Sequence, residues 1–101
     1  MAFEHLRASM TKGNLWMYIL FELKRGDASP ARIRADVSAR RGFAPAAITF
    51  YSVLYKLRRE GLVRKSSESF RSAYSITVQG RDELERALEF LNELGDGLAQ
   101  D

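Results

Sequence analysis

Enzymatic chemistry needs nucleophiles, proton carriers or metal ligands, and this 101-residue sequence offers few of them. It has no cysteine, which leaves out a thiol nucleophile, a disulfide scaffold and any cysteine-ligated zinc or iron–sulfur site. Its single histidine, His5, has no setting for a Ser/His/Asp arrangement. Asp27 and Asp36 are separated by a turn and part of a helix and make no recognisable acid–base pair. The glycines form no phosphate-cradling pattern. The expectation is a protein that is not an enzyme and carries neither metal nor cofactor. What does stand in a suggestive spacing is a set of hydroxyl, aromatic and basic side chains: Thr49, Tyr51, Ser52, Tyr55, Lys56 and Arg59. Such side chains bind rather than react, and they suit contact with base edges and phosphates.

The charge distribution points the same way. Overall the chain is +3, but residues 1–76 hold 14 Lys/Arg against six Asp/Glu, a net of +8. Residues 77–101 hold two arginines against seven acids, a net of −5. A basic body suits a polyanionic surface, with a set of solvated helix faces as the bland alternative. Hydrophobic residues at 46% and charged residues at 29% are ordinary globular values, and the length allows one domain, 1–101. A monomer of this size buries only about 60–70% of the surface its unfolded chain exposes, so a partner subunit would help. The longest apolar run, Leu15 to Phe21, is seven residues, against about 20 for a membrane span. No small-residue cleavage site follows it closely, so it reads as a core helix of a cytoplasmic protein with no membrane partner.

The elements that must position the binding residues follow from periodicity and punctuation. Phe3, Leu6 and Met10 suit a weakly amphipathic leading helix or arm over 1–12, after which Lys12-Gly13-Asn14 punctuates the chain, with Asn14 a candidate N-cap. Leu15, Trp16, Ile19, Leu20 and Leu23 make one apolar stripe over about 15–25. Ser29-Pro30 starts the next helix, which turns Ile33 and Val37 inward and Arg32, Arg34, Arg40 and Arg41 outward, and Gly42 stops it. Pro45 opens a helix over 45–60 whose inner face is Phe50, Val53, Leu54 and Leu57. Its outer face is Ile48, Thr49, Ser52, Tyr55, Lys56 and Arg59. Strands at Leu62–Lys65 and Ser72–Thr77 flank a tight serine-rich loop, and Thr77 caps a last helix over 78–95 that Gly95 and Gly97 end, leaving 96–101 as a frayed tail. Three helices, a hairpin and a helix are the plan of a winged helix-turn-helix: mainly α with a small β-hairpin, the winged body at 13–77 and a C-terminal dimerisation helix.

On that plan the helix at 45–60 is the reader of the major groove. Small side chains early in it, Thr49 and Ser52 with Tyr51, could touch bases, while Lys56 and Arg59 reach phosphates. Tyr55 belongs to the same face, and Lys65 and Arg71 of the wing reach the neighbouring backbone. The competing reading makes Thr49 and Ser52 plain helix surface and Tyr51 and Tyr55 packing residues. Leu84, Leu88, Leu91 and Leu94 recur at helical spacing on the last helix and suit a second copy, although they could also lie on the domain's own core.

Three stretches resemble a known family. Lys12-Gly13-Asn14-Leu15 before an apolar helix, and Thr49-Phe50-Tyr51-Ser52-Val53-Leu54-Tyr55-Lys56-Leu57-Arg58-Arg59-Glu60-Gly61-Leu62-Val63, look like the PadR-type transcriptional regulators. Tyr74-Ser75-Ile76-Thr77-x-x-Gly80 is similar to that family's wing exit. The resemblance spans roughly 12–94. It implies a homodimeric repressor that binds double-stranded DNA, with the last and leading helices as interface and Thr49, Tyr51 and Lys56 on the DNA side. It further implies a possible pocket for a small aromatic effector at the dimer interface, for which Phe3, Trp16 and Phe90 are candidates, plain core being the alternative. The chain departs from the family pattern at Pro30-Ala31, where Gly-Tyr is common, and at Ser52, where proline is usual. Its wing is short, with Arg71 the one basic residue beside the tip, where several are common. Two other functions fit the same plan: a winged helix that binds a protein partner, and a sequence-indifferent DNA-coating protein.

Overall fold

The computed structural model describes residues 1–67 and 72–100. Its elements are α1 (Ala2–Met10), a 3-10 turn (Lys12–Asn14), α2 (Leu15–Arg25), α3 (Pro30–Arg41), α4 (Ala47–Arg59), β1 (Val63–Lys65), β2 (Tyr74–Ile76) and α5 (Val78–Gln100). The strands pair antiparallel, Val63 opposite Ile76 and Lys65 opposite Tyr74. This is the winged helix-turn-helix order expected from the sequence.

α2 is the central post. Leu15, Ile19, Leu20 and Leu23 are buried in it, and they meet Ile33 and Val37 of α3, Phe50, Leu54 and Leu57 of α4, Val63, Tyr74 and Leu84. Ser29 caps α3 by accepting from the Arg32 amide, Pro30 takes the first helical position, and Gly42 ends the helix left-handed at φ 75°. Asn14 takes the position before α2 but does not cap it. Its Oδ1 instead accepts from Trp16 Nε1 at 3.3 Å, and its Nδ2 donates to the Ser9 carbonyl.

The wing is tied to the body at two places. Ala28, in the α2–α3 corner, exchanges backbone hydrogen bonds with Tyr74, N to O at 3.2 and 2.8 Å, and so adds a one-residue third strand. At the other end Thr77 Oγ1 accepts from the Gly80 amide at 3.0 Å and donates to the Gly61 carbonyl at 2.6 Å, capping α5 while fastening it to the turn after α4. A Cβ at Gly80 would stand 2.1 Å from the Leu62 carbonyl oxygen. Only glycine lets α5 cross the chain there, so the glutamate that often stands three residues after a threonine cap has no room at this position.

Two boundaries and one interface residue differ from expectation. α4 begins at Ala47, and Pro45 lies buried just before it, its carbonyl accepting from Arg34 Nε at 2.9 Å. α5 runs through Gly95 and Gly97 to Gln100 instead of stopping at residue 95. Neither glycine has a positive φ, so the modest cost of glycine inside a helix does not break the backbone ladder. Leu84, expected at a dimer interface, is 1% exposed in the chain's own core, because the first turns of α5 lie on α2.

Candidate nucleic-acid interface

α4 is fixed from behind. Phe50, Leu54 and Leu57 are buried, and Val53 packs half-buried beside them. Turning about 100° per residue, the opposite side must face away from the body. Ile48, Thr49, Ser52, Tyr55, Lys56 and Arg59 are all exposed there. Tyr51 stands at the margin, half-buried, with its ring edge-on to Phe50 at 5.4 Å and tilted against Tyr55 at 6.3 Å. Five of the six helix residues expected to form the site are thus together in solvent on one face, and the sixth braces that face.

The entry of this helix is set by the Arg34–Pro45 hydrogen bond and by Gly42 before it. Beyond α4, the wing strand β1 buries Val63, exposes Arg64 and leaves Lys65 half-buried on the side of Val63. Arg71 lies outside the described residues.

The arginines of α3 behave differently from the outward set expected of them. Arg40 Nε and Arg41 reach the two carboxylate oxygens of Glu22, at 3.4 and 3.6 Å, and Glu22 is only 5% exposed. Arg41 also lies over the Phe21 ring at 4.7 Å, a cation–π contact. Arg34 serves Pro45, and Arg32 pairs with Asp36 one turn on at 3.3 Å. Two of the four arginines, Arg34 and Arg41, are therefore drawn inward, and the basic charge on the outer face of α4 is that of Lys56 and Arg59, with Lys12 nearby.

Lys12 is the residue that sequence reasoning missed. From the 3-10 turn it shares a shallow hollow with Thr49, Ala44 and Pro45 at the start of α4. A second hollow, of about 340 Å³, is lined by Lys12, Trp16, Val53, Lys56, Leu57 and Glu60 among others. Lys12 and Lys56 are far apart in sequence, so no spacing rule would join them.

The three aromatic residues considered for an effector pocket are not brought together within the chain. Trp16 lines the second hollow, whereas Phe3 and Phe90 are largely exposed, so neither is plain core. Among the described residues, no helix is long and apolar enough to cross a membrane.

The sequence matches no protein-family model and no curated protein. Solved structures do match. A transcriptional regulator from Clostridium thermocellum is 20% identical, with 92% of this chain and 94% of that one covered at a TM-score of 0.78. A PadR-like transcription factor from Bacteroides fragilis is 23% identical over 95% and 97% of the two chains, also at 0.78. A PadR family transcription regulator from Clostridium difficile is 23% identical over 84% and 94%, at 0.72. The class defined by these likenesses is the PadR-like winged helix, and the resemblance read from α4 and the wing exit holds for the fold across nearly the whole chain.

Proposed function

We propose that this chain is a sequence-specific double-stranded DNA-binding transcriptional regulator of the PadR type, acting as a homodimer and as a repressor. The observation that carries the reading is the division of α4: one face locked into the core, the other lined with exposed hydroxyl, aromatic and basic side chains. α4 lies in the major groove, Thr49, Tyr51 and Ser52 toward bases, Tyr55 beside them, and Lys56, Arg59 and Lys12 toward phosphates. Arg64 and Lys65, with Arg71, touch the adjoining backbone from the wing.

The homodimer rests on α5 and α1. Beyond Leu84, the half-buried Leu88 and Leu91 give way to exposed Phe90, Leu94 and Leu98, and Phe3 and Leu6 of α1 are exposed as well. Isolated surface leucines are ordinary, but a row of them on one helix calls for cover. A two-fold pair covers these residues and sets the two reading helices about 34 Å apart, one turn of DNA. An aromatic effector would be held by Phe3 and Phe90 only across that interface. Such a protein works in the cytoplasm, where its operator lies.

A fluorescence-anisotropy titration with mixed-sequence duplex at several salt concentrations tests the reading. Log affinity falls steeply against log salt when phosphates are contacted. No binding at low salt by folded protein overturns it, and equal competition by every duplex would point to the coating protein instead. Leu94→Asp, at an exposed position, is expected to give a monomer in sedimentation. A dimer surviving that change removes α5 from the interface.

A further inference from the structure

The outward ridge of α4 begins on a residue that neither charge nor hydrogen bonding explains. Ile48, Ser52, Tyr55 and Arg59 follow one another at helical spacing along its centre, and Ile48 is 85% exposed in the first turn. From Gly42 to Ile48 the sequence is Gly-Phe-Ala-Pro-Ala-Ala-Ile, with no side chain that can carry a charge or make a hydrogen bond. Ala44, Ala46 and Ala47 are exposed alongside Ile48. The basic residues of α4, Lys56, Arg58 and Arg59, are all in its last turn. The leading end of the helix is therefore mostly methyl groups and backbone, with the Thr49 hydroxyl as the one polar side chain of its first turn, while its trailing end is cationic.

On the reading that α4 enters the major groove, its leading end meets base edges. The groups that mark base identity there are hydrogen-bond donors and acceptors, apart from the C5-methyl of thymine, which is the one apolar group that projects into the groove. An isoleucine pressed against a donor or acceptor would strip it of water and return nothing. Against a thymine methyl it buries apolar surface on both sides. We propose that Ile48 is a specificity-determining residue that packs on thymine C5-methyl groups, so that the chain selects thymine beneath the first turn of α4. The cationic surroundings make duplex DNA the occupant of this apolar tip, ahead of an apolar protein groove. The proposal rests on the DNA-binding reading above.

The test uses the full chain and two short labelled duplexes, alternating d(A-T) and the same duplex with deoxyuridine replacing thymidine, which deletes only the methyl groups. Wild-type protein is expected to bind the uracil duplex about fourfold or more weakly, the worth of one buried methyl group. Ile48→Ala removes an exposed side chain in favour of a better helix former, so it should fold as before. This variant is expected to bind both duplexes with the affinity that wild type shows for uracil. A guanine–cytosine duplex should conversely gain wild-type affinity when its cytosines are 5-methylated. Equal wild-type affinity for the thymine and uracil duplexes overturns the proposal, as does a methyl dependence that survives in Ile48→Ala. Failure to bind any of the duplexes at low salt overturns the DNA-binding reading itself and favours a protein partner for α4.

Discussion

α3 and α4 look alike on paper, two neighbouring helices rich in arginine and lysine, yet they spend their charge in opposite directions. On α3, Arg40 and Arg41 neutralise Glu22, Arg34 holds the Pro45 carbonyl and Arg32 is matched by Asp36. On α4, Lys56 and Arg59 stand in solvent on the face opposite the core. The difference lies in the supply of acids. Glu22 and Asp36 are placed where α3 can use them, and the outer face of α4 has no carboxylate between Ile48 and Arg59. α3 thus reads as scaffold and α4 as the presenting surface, a division that cationic content alone does not reveal.

Substitutions can break that division. The largest effect should come from Glu22→Ala, which leaves two arginines facing an apolar layer. Because Arg40 and Arg41 can partly turn to water, the loss is expected near the lower end for a broken buried pair, about 3 kcal/mol. It is read as a lowered thermal midpoint. DNA affinity, measured where the variant is still folded, should change little. A midpoint equal to wild type would mean that α3 is not held by Glu22.

Arg34→Ala is the intermediate case, since it removes the hydrogen bond that sets the entry of α4. Stability is expected to fall by about 1 kcal/mol, and DNA binding, on the proposed function, should weaken because α4 is less firmly aimed. A stability loss with unchanged affinity would make Arg34 scaffold alone. Lys56→Ala should have the smallest effect and the cleanest one. Stability stays within about 0.5 kcal/mol, as for an exposed residue. Binding weakens on every duplex, and the salt slope drops by about 1. Isothermal titration across a salt series checks this, and an unchanged slope takes Lys56 off the phosphates.

Much of the fold was legible because its signals are local. Ser29-Pro30 and Gly42 bracket α3, and Phe50, Leu54 and Leu57 repeat at the helical period. Thr77 caps α5 as its position suggested. The features that escaped are settled by residues distant in the chain. That Arg41 meets Glu22, that Ala28 bridges to Tyr74 and that Lys12 stands beside Thr49 follow from packing, not from spacing. Leu84 and Leu94 share one leucine pattern, yet one is buried on α2 and the other exposed, because α2 ends before α5 does. The glycines at 95 and 97 misled for a different reason. A weak local preference against helix is overridden when nothing else stops the chain.

α1 carries a consequence of its own. Its nine residues include no buried one, and it meets the body at its end, through the half-buried Met10 packed on the core, a hydrogen bond from the Tyr18 hydroxyl to the Met10 carbonyl and the Asn14–Ser9 contact. A helix that short is marginal in water when left alone. Its persistence is therefore tied to whatever covers Phe3 and Leu6, and if that cover is another copy, helix content becomes a function of protein concentration. Dilution would then unwind the N-terminus before it disturbs α4, and the first ten residues would serve as a built-in gauge of assembly.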